Sequence, residues 1–212
     1  MSSDLLHRGY LKNVLHQILG EELNTLYQPI HLDTFALLQD YTRLVMNTYD
    51  QENMYVILIA LPNNILEKFN SELNSYGLPN LRHAYAFKRR LHFTPIHTNT
   101  HIDYDLPSNS RVNCSIVIPI EGCKDTKMFW FDGEREETIV QTEDGNSYID
   151  LKWLGRVKKL DQIEIYDSPM LVNTTIPHSA TSRTDKSYRT VLTIRLEGNP
   201  GFNEVKNKFM QD

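Results

Sequence analysis

The stretch RVNCSIVIPI, residues 111 to 120, alternates in character. Arg111, Asn113, Ser115 and Val117 fall on one side, and Val112, Cys114, Ile116 and Ile118 on the other. Successive side chains of a β-strand point to opposite faces. This segment therefore reads as a strand with one apolar face to bury and one face carrying Arg and Asn. The pattern recurs in YRTVLTIRL, residues 188 to 196. There Arg189, Val191, Thr193 and Arg195 oppose Tyr188, Thr190, Leu192, Ile194 and Leu196. One such polar face is ordinary surface. Two of them suit the lining of a polar cavity, with the apolar faces packed beneath helices.

Other segments after residue 82 have the same texture. RHAYAFKRR, TKMFWFDG, EETIVQTED, SYIDLKWLG, DQIEIYD and PMLVNTTIPH are short, rich in β-branched or aromatic residues, and separated by Gly, Pro, Asn or Asp. With the first two they predict eight strands, and a jelly roll of two sheets is one standard way to bury that many. The first third reads differently. Leu5, Leu6, Tyr10, Leu11, Val14, Leu15 and Leu19 recur at helical spacing within 3 to 26. Phe35, Leu37, Leu38, Tyr41, Leu44 and Val45 repeat this within 33 to 48, with Asp33 or Thr34 as the cap. MYVILIALP (54 to 62) predicts a buried strand, and a third helix starts at Pro62 and Asn63 and stops at Gly77 and Pro79. The expected fold is thus α+β in a single domain over 1–212. Residues 1–80 are mostly helical support, and 81–198 form the β core.

Composition narrows the function. The 212 residues are 40% hydrophobic and 23% charged, ordinary for a soluble globular chain of one domain. A net charge of −5 argues against nonspecific binding to nucleic acid or an anionic membrane. Lys88-Arg89-Arg90 reads as a solvated strand end rather than a phosphate track. There is no apolar run long enough to span a bilayer and no secretory h-region near the start. Two cysteines make no disulfide framework, and Cys114 reads as a small buried side chain. A reducing, cytoplasmic setting is expected. Oligomeric state is left open.

The chemistry centres on HTNTHIDYD, residues 97 to 105. With 8 His and 27 acidic residues, chance alone supplies about one His-x-acid triplet, and His31-Leu-Asp33 is a second occurrence. His101-Ile-Asp103 gains meaning from residues further along the chain. An Fe(II) site for oxygen chemistry takes two imidazoles and one carboxylate, leaving other positions open. His101 and Asp103 would share a strand face, and the only histidine after them is His178. Arg189 comes 11 residues later on the polar face of the next strand, suited to clamp a distal carboxylate. His97 with Asn99 is a rival proximal motif, although an amide is a poorer iron ligand than a carboxylate.

HID, RVNCSIVIPI, NTTIPHSA and YRTVLTIRL, in that order, resemble the Fe(II)/2-oxoglutarate-dependent oxygenases, whose core is a double-stranded β-helix of the jelly-roll, cupin-like kind. The resemblance covers residues 80 to 197. It implies His101, Asp103 and His178 as iron ligands and Arg189 as partner of the 2-oxoglutarate C5 carboxylate. It suggests Asn113 as a cosubstrate or outer-shell contact and Thr193 and Arg195 as further candidates, with Arg195 in reserve for the clamp. An Arg-x-Ser pair found in some members is Arg189-Thr190-Val191 here, which leaves the second polar contact unassigned. The implied cofactors are Fe(II), 2-oxoglutarate and O2, with release of succinate and CO2 and hydroxylation of a small molecule, an amino acid or a protein side chain. Two other classes fit the same residues less completely. One is a noncatalytic jelly-roll module that binds a small acid or a protein partner; the other is a cupin-like metalloenzyme that does not use 2-oxoglutarate. Loops around DYDLPSNS and residues 132 to 162, with Trp130 and Trp153 nearby, are expected to face the substrate.

Overall fold

The computed structural model describes residues 26–49, 55–90, 97–99, 112–124, 126–141, 147–182 and 188–211. In chain order these form β1 (Tyr27–Pro29), α1 (Phe35–Met46), β2 (Tyr55–Leu58), α2 (Asn63–Ser75), β3 (Leu81–Arg90), β4 (His97–Asn99), β5 (Cys114–Glu121) and β6 (Thr126–Asp132). They continue with β7 (Arg135–Gln141), β8 (Ser147–Trp153), β9 (Lys158–Ile163), β10 (Met170–Asn173), β11 (His178–Ser182), β12 (Tyr188–Leu196) and α3 (Phe202–Phe209). Two six-stranded sheets result, one in the order β1-β10-β5-β12-β3-β2 and the other β7-β8-β4-β11-β6-β9. Neighbouring strands run antiparallel. The architecture is α+β and jelly-roll-like. The predicted helix over 3 to 26 lies outside the described residues, all but its last.

The alternation in β5 and β12 sorts their side chains as the pattern predicts. Ile116, Ile118, Leu192 and Ile194 pack with Leu38, Phe69, Leu73 and Val205 of the three helices in one core. Val117 and Val191, on the reverse face, pack with Met128 and Trp130 of the second sheet. The first sheet is therefore sandwiched between helices and the second sheet, and its polar positions face the inter-sheet space.

Local chemistry explains where the elements stop. Thr34 occupies the N-cap position of α1 without capping it. The cap comes instead from Glu72 of α2, whose carboxylate accepts from Asp33 N, from Thr34 N at 3.1 Å and from Thr34 Oγ1 at 2.5 Å. Gly77, at φ +68, ends α2, with Leu78 N bonded back to Leu73 O at 3.0 Å. Gly122 has φ +62, and a Cβ there would lie 1.8 Å from Tyr188 O, so the turn after β5 admits glycine alone.

Several expectations are corrected. PMLVNTTIPH is not one strand. Asn173 Oδ1 accepts from Thr175 N at 3.1 Å and from Thr175 Oγ1 at 2.7 Å, an Asx turn that ends β10 and sends the chain across to the second sheet. His178 accordingly opens β11 rather than closing the strand before it. The strand predicted at 161 to 167 sits earlier, at Lys158–Ile163. β1, β4 and α3 are additions to the expected elements. Lys88 is no solvated strand end. It is 3% exposed, on the helix side of β3, with its ammonium 5.2 Å from the Tyr188 ring centroid. Residues 132 to 162 hold β7 and β8, where EETIVQTED and SYIDLKWLG predicted strands, and most of β9; Trp130 is 0% exposed, its Nε1–H donating to Asn173 O at 3.3 Å.

Candidate functional site

Register places the candidate residues on facing walls. On the second sheet, Trp130 pairs with His178, His178 with His97, and His97 with Asp150, so these four form one row across the strands. Directly opposed residues share a face, and Trp130 belongs to the inter-sheet core, so His178 faces the first sheet. On the first sheet, Tyr27 pairs with Val172 and Val172 with Ser115 in another row. Tyr27 stacks on Trp130, ring centroids 5.1 Å apart, which brings the two rows together at one edge. The next row of the first sheet runs Met170, Val117, Thr193, Tyr85.

His178 is 5% exposed and its Nδ1 lies 2.8 Å from Ile176 O. A carbonyl oxygen only accepts, so Nδ1 carries the proton and Nε2 the lone pair. Metal-ligating imidazoles are commonly oriented in this way. His101 and Asp103, the other predicted ligands, lie outside the described residues, as does Arg111. β4, the HTN of HTNTHIDYD, ends at Asn99, two residues before His101, and its first residue is paired with His178. Among the described residues no group of three or more His, Cys, Asp or Glu could hold a metal ion. His31 and Asp33 form an exposed pair at 3.0 Å ahead of α1.

Arg189 is 9% exposed on the inward face of β12, and its Nε has no hydrogen-bond partner among the described residues. Thr193 is buried on the same face, between Val117 and Tyr85. Arg195 lies with its guanidinium carbon 4.9 Å from the Tyr85 ring centroid, a cation–π contact on the same wall. Asn113 is engaged at the end of the strand. Its backbone N donates to Asn199 Oδ1 at 2.9 Å and its Nδ2 to Asn199 O at 2.7 Å. A cosubstrate contact from Asn113 would therefore run through its Oδ1.

No family model matches the chain, and no curated protein matches it in sequence. A solved structure similar to it is a prolyl-4-hydroxylase from Pseudomonas putida, at 13% identity and a TM-score of 0.41, covering 87% of this chain and 100% of that one.

The sequence left part of the wall unassigned. His83, Tyr85 and Phe87 alternate along β3 and face inward opposite Arg195, Thr193 and Val191, with ring centroids 5.8 and 6.4 Å apart. The period-two signal is present in RHAYAFKRR. Its polar face escapes notice because Ala84 and Ala86 mark the buried helix side only weakly. Both thiols are buried and unbridged. Burial, then the Glu204 charge, pushes Cys114 up to about 12. No helix of the described residues is long and apolar enough to cross a membrane.

Proposed function

We propose that this chain is an Fe(II)- and 2-oxoglutarate-dependent oxygenase, its two sheets forming a double-stranded β-helix. The observation that carries the reading is the burial of His178 and Arg189 within one sandwich. Both are buried, both are on inward faces, and they belong to different sheets. His178 offers Nε2, and Arg189 offers a guanidinium with an unpartnered Nε. A neutral imidazole suits a transition metal, and a dry guanidinium suits a carboxylate. His101 and Asp103 complete the donor set by motif, a few residues beyond the strand that pairs with His178.

In this reading Fe(II), once held by His101, Asp103 and His178, supplies O2 activation coupled to oxidative decarboxylation of 2-oxoglutarate to succinate and CO2. The chain supplies the rest. Ile176 O fixes the His178 ring and its tautomer. Arg189 pairs with the C5 carboxylate and sets the cosubstrate's direction along β12. Thr193 lines the space between them. Trp130, Val117 and Val191 exclude water from that space and so strengthen every charge interaction within it. The substrate is a small molecule, an amino acid or a protein side chain.

The test is anaerobic addition of Fe(II) and 2-oxoglutarate. A weak visible charge-transfer band, followed by succinate release on admitting air, is the expected result. Absence of both would favour a noncatalytic module, and metal binding without a cosubstrate band a cupin-like enzyme of another kind.

A further inference from the structure

We infer that the open inward face of β7 and β8 receives a peptide substrate, and that Asp150 on it selects a lysine or arginine beside the oxidised position. The inference rests on the oxygenase reading for the place of the reacting atom, at His178, and names the substrate class of that same site.

The row that holds His178 changes character along its length. Trp130 is 0% exposed and His178 5%. Two strands on from His178, Asp150 is exposed, and so is Thr138, its partner on β7. Lys152 and Glu136, paired with each other one step along the same face, are exposed as well. The reverse face of β8 is the apolar one, with Ile149 and Leu151 at 5% and 8%. The cover that buries Trp130 and His178 therefore ends before β8. There the inward row emerges as a polar shelf, continuous with the side of the site that carries His178.

Charges on the shelf are unequally matched. The Lys152 ammonium donates to Glu136 Oε2 at 2.8 Å, so the cation nearest along the strand is committed elsewhere. That leaves the Asp150 carboxylate, which has no hydrogen bond or ion pair among the described residues. A carboxylate only accepts, and its best complement is a cationic donor. Asp150 and His178 are two strand spacings apart, about 10 Å. A lysine or arginine resting on Asp150 thus leaves its own backbone, or the residue next to it, over the metal. A small-molecule site encloses most of its ligand. This shelf is open along both strands, which suits a peptide lying across it. Because the carboxylate is in water, it contributes discrimination rather than anchoring.

The test uses two pools of fluorescein-labelled nonapeptides, one with a central Lys or Arg and no acidic residue, the other with a central Asp or Glu and no basic one. Binding is read by anisotropy, anaerobically, with Fe(II) and 2-oxoglutarate present, and succinate release is read on admitting air. The basic pool should bind more tightly and stimulate release. Asp150→Asn should weaken its binding about two- to fivefold, the weight of one exposed ion pair, and Asp150→Lys should reverse the order of the pools. Equal binding of the two pools overturns the assignment. So does an equal loss in Asp33→Asn, an exposed acid ahead of α1, since net charge alone would then account for the preference. Free lysine or arginine that stimulates release as well as the basic pool overturns the peptide assignment. Asp150-dependent binding without a charge-transfer band sinks the oxygenase reading and the substrate role with it; a band without preference for the basic pool sinks only the present inference.

Discussion

Tyr27 lies against Trp130 with its ring plane 29° from parallel, and its hydroxyl donates to Asp161 Oδ2 at 2.8 Å. One residue of β1 thus holds β6 and β9 of the opposite sheet, closing that side of the sandwich. At the other edge of the first sheet, Leu58 of β2 is exposed beside Tyr85.

Replacing Tyr27 by Phe keeps the stack and deletes the hydrogen bond. A loss of about 1–2 kcal/mol in unfolding free energy is expected, read from urea midpoints. The pH dependence has a definite sign. Burial, then the Asp161 hydrogen bond and charge, raises Tyr27 from 10.0 to about 12. The stability it contributes is fully present below pH 10 and is lost as pH rises from 10 to about 12. Cys114, raised from 9.0 to about 12, acts in the same sense from pH 9 upward. Tyr27→Phe and Cys114→Ala should each flatten part of the alkaline loss. The native thiols should resist alkylation at about pH 8 and react once the chain is unfolded.

His178→Gln should abolish 2-oxoglutarate turnover, by at least about 100-fold in succinate release, with far-ultraviolet circular dichroism unchanged. Retained turnover in the variant would remove His178 from the metal site.

Arg189→Ala should raise the KM for 2-oxoglutarate at least about 30-fold, since removing one member of a buried charge pair costs about 2–5 kcal/mol. Arg189→Lys should recover only part of this, because an ammonium cannot make the bidentate contact. If Arg195→Ala shows the larger effect, the clamp belongs to Arg195.

Glu72→Ala removes all three bonds that cap α1. A loss of about 1–2 kcal/mol is expected, similar to deleting a strong N-cap, while Thr34→Ala should cost less. Equal losses would mean that the threonine hydroxyl carries the cap.

Legibility in the sequence tracks period. β5 and β12 announce two faces because Ile116 and Ile118, and Leu192, Ile194 and Leu196, recur at every second position, and α1 and α2 announce themselves through 3.6-residue spacing. Three-residue strands carry no period, so β1 and β4 are invisible, although one holds the sandwich closed and the other lies beside His178. His178 is legible as a residue but not as to element, because the break before it depends on the Asn173 side chain folding back on Thr175. Lys88 defeats the composition rule that three basic residues lie in water. It is buried between Tyr55 and Thr190 of the flanking strands, with its ammonium beside the Tyr188 ring, a hundred residues away in sequence. Glu72 as a cap cannot be read at all, since it lies 38 residues from the helix it caps.

Gly122 sits outside the inter-sheet space, yet it governs that space at a distance. Tyr188 O fills the volume where its side chain would be, and Arg189 is the next residue. Any substitution at 122 must lift the start of β12 and carry the guanidinium with it. A surface turn thereby acts as the depth gauge of the interior. Gly122→Ala should therefore destabilise the fold and displace Arg189 in the same step.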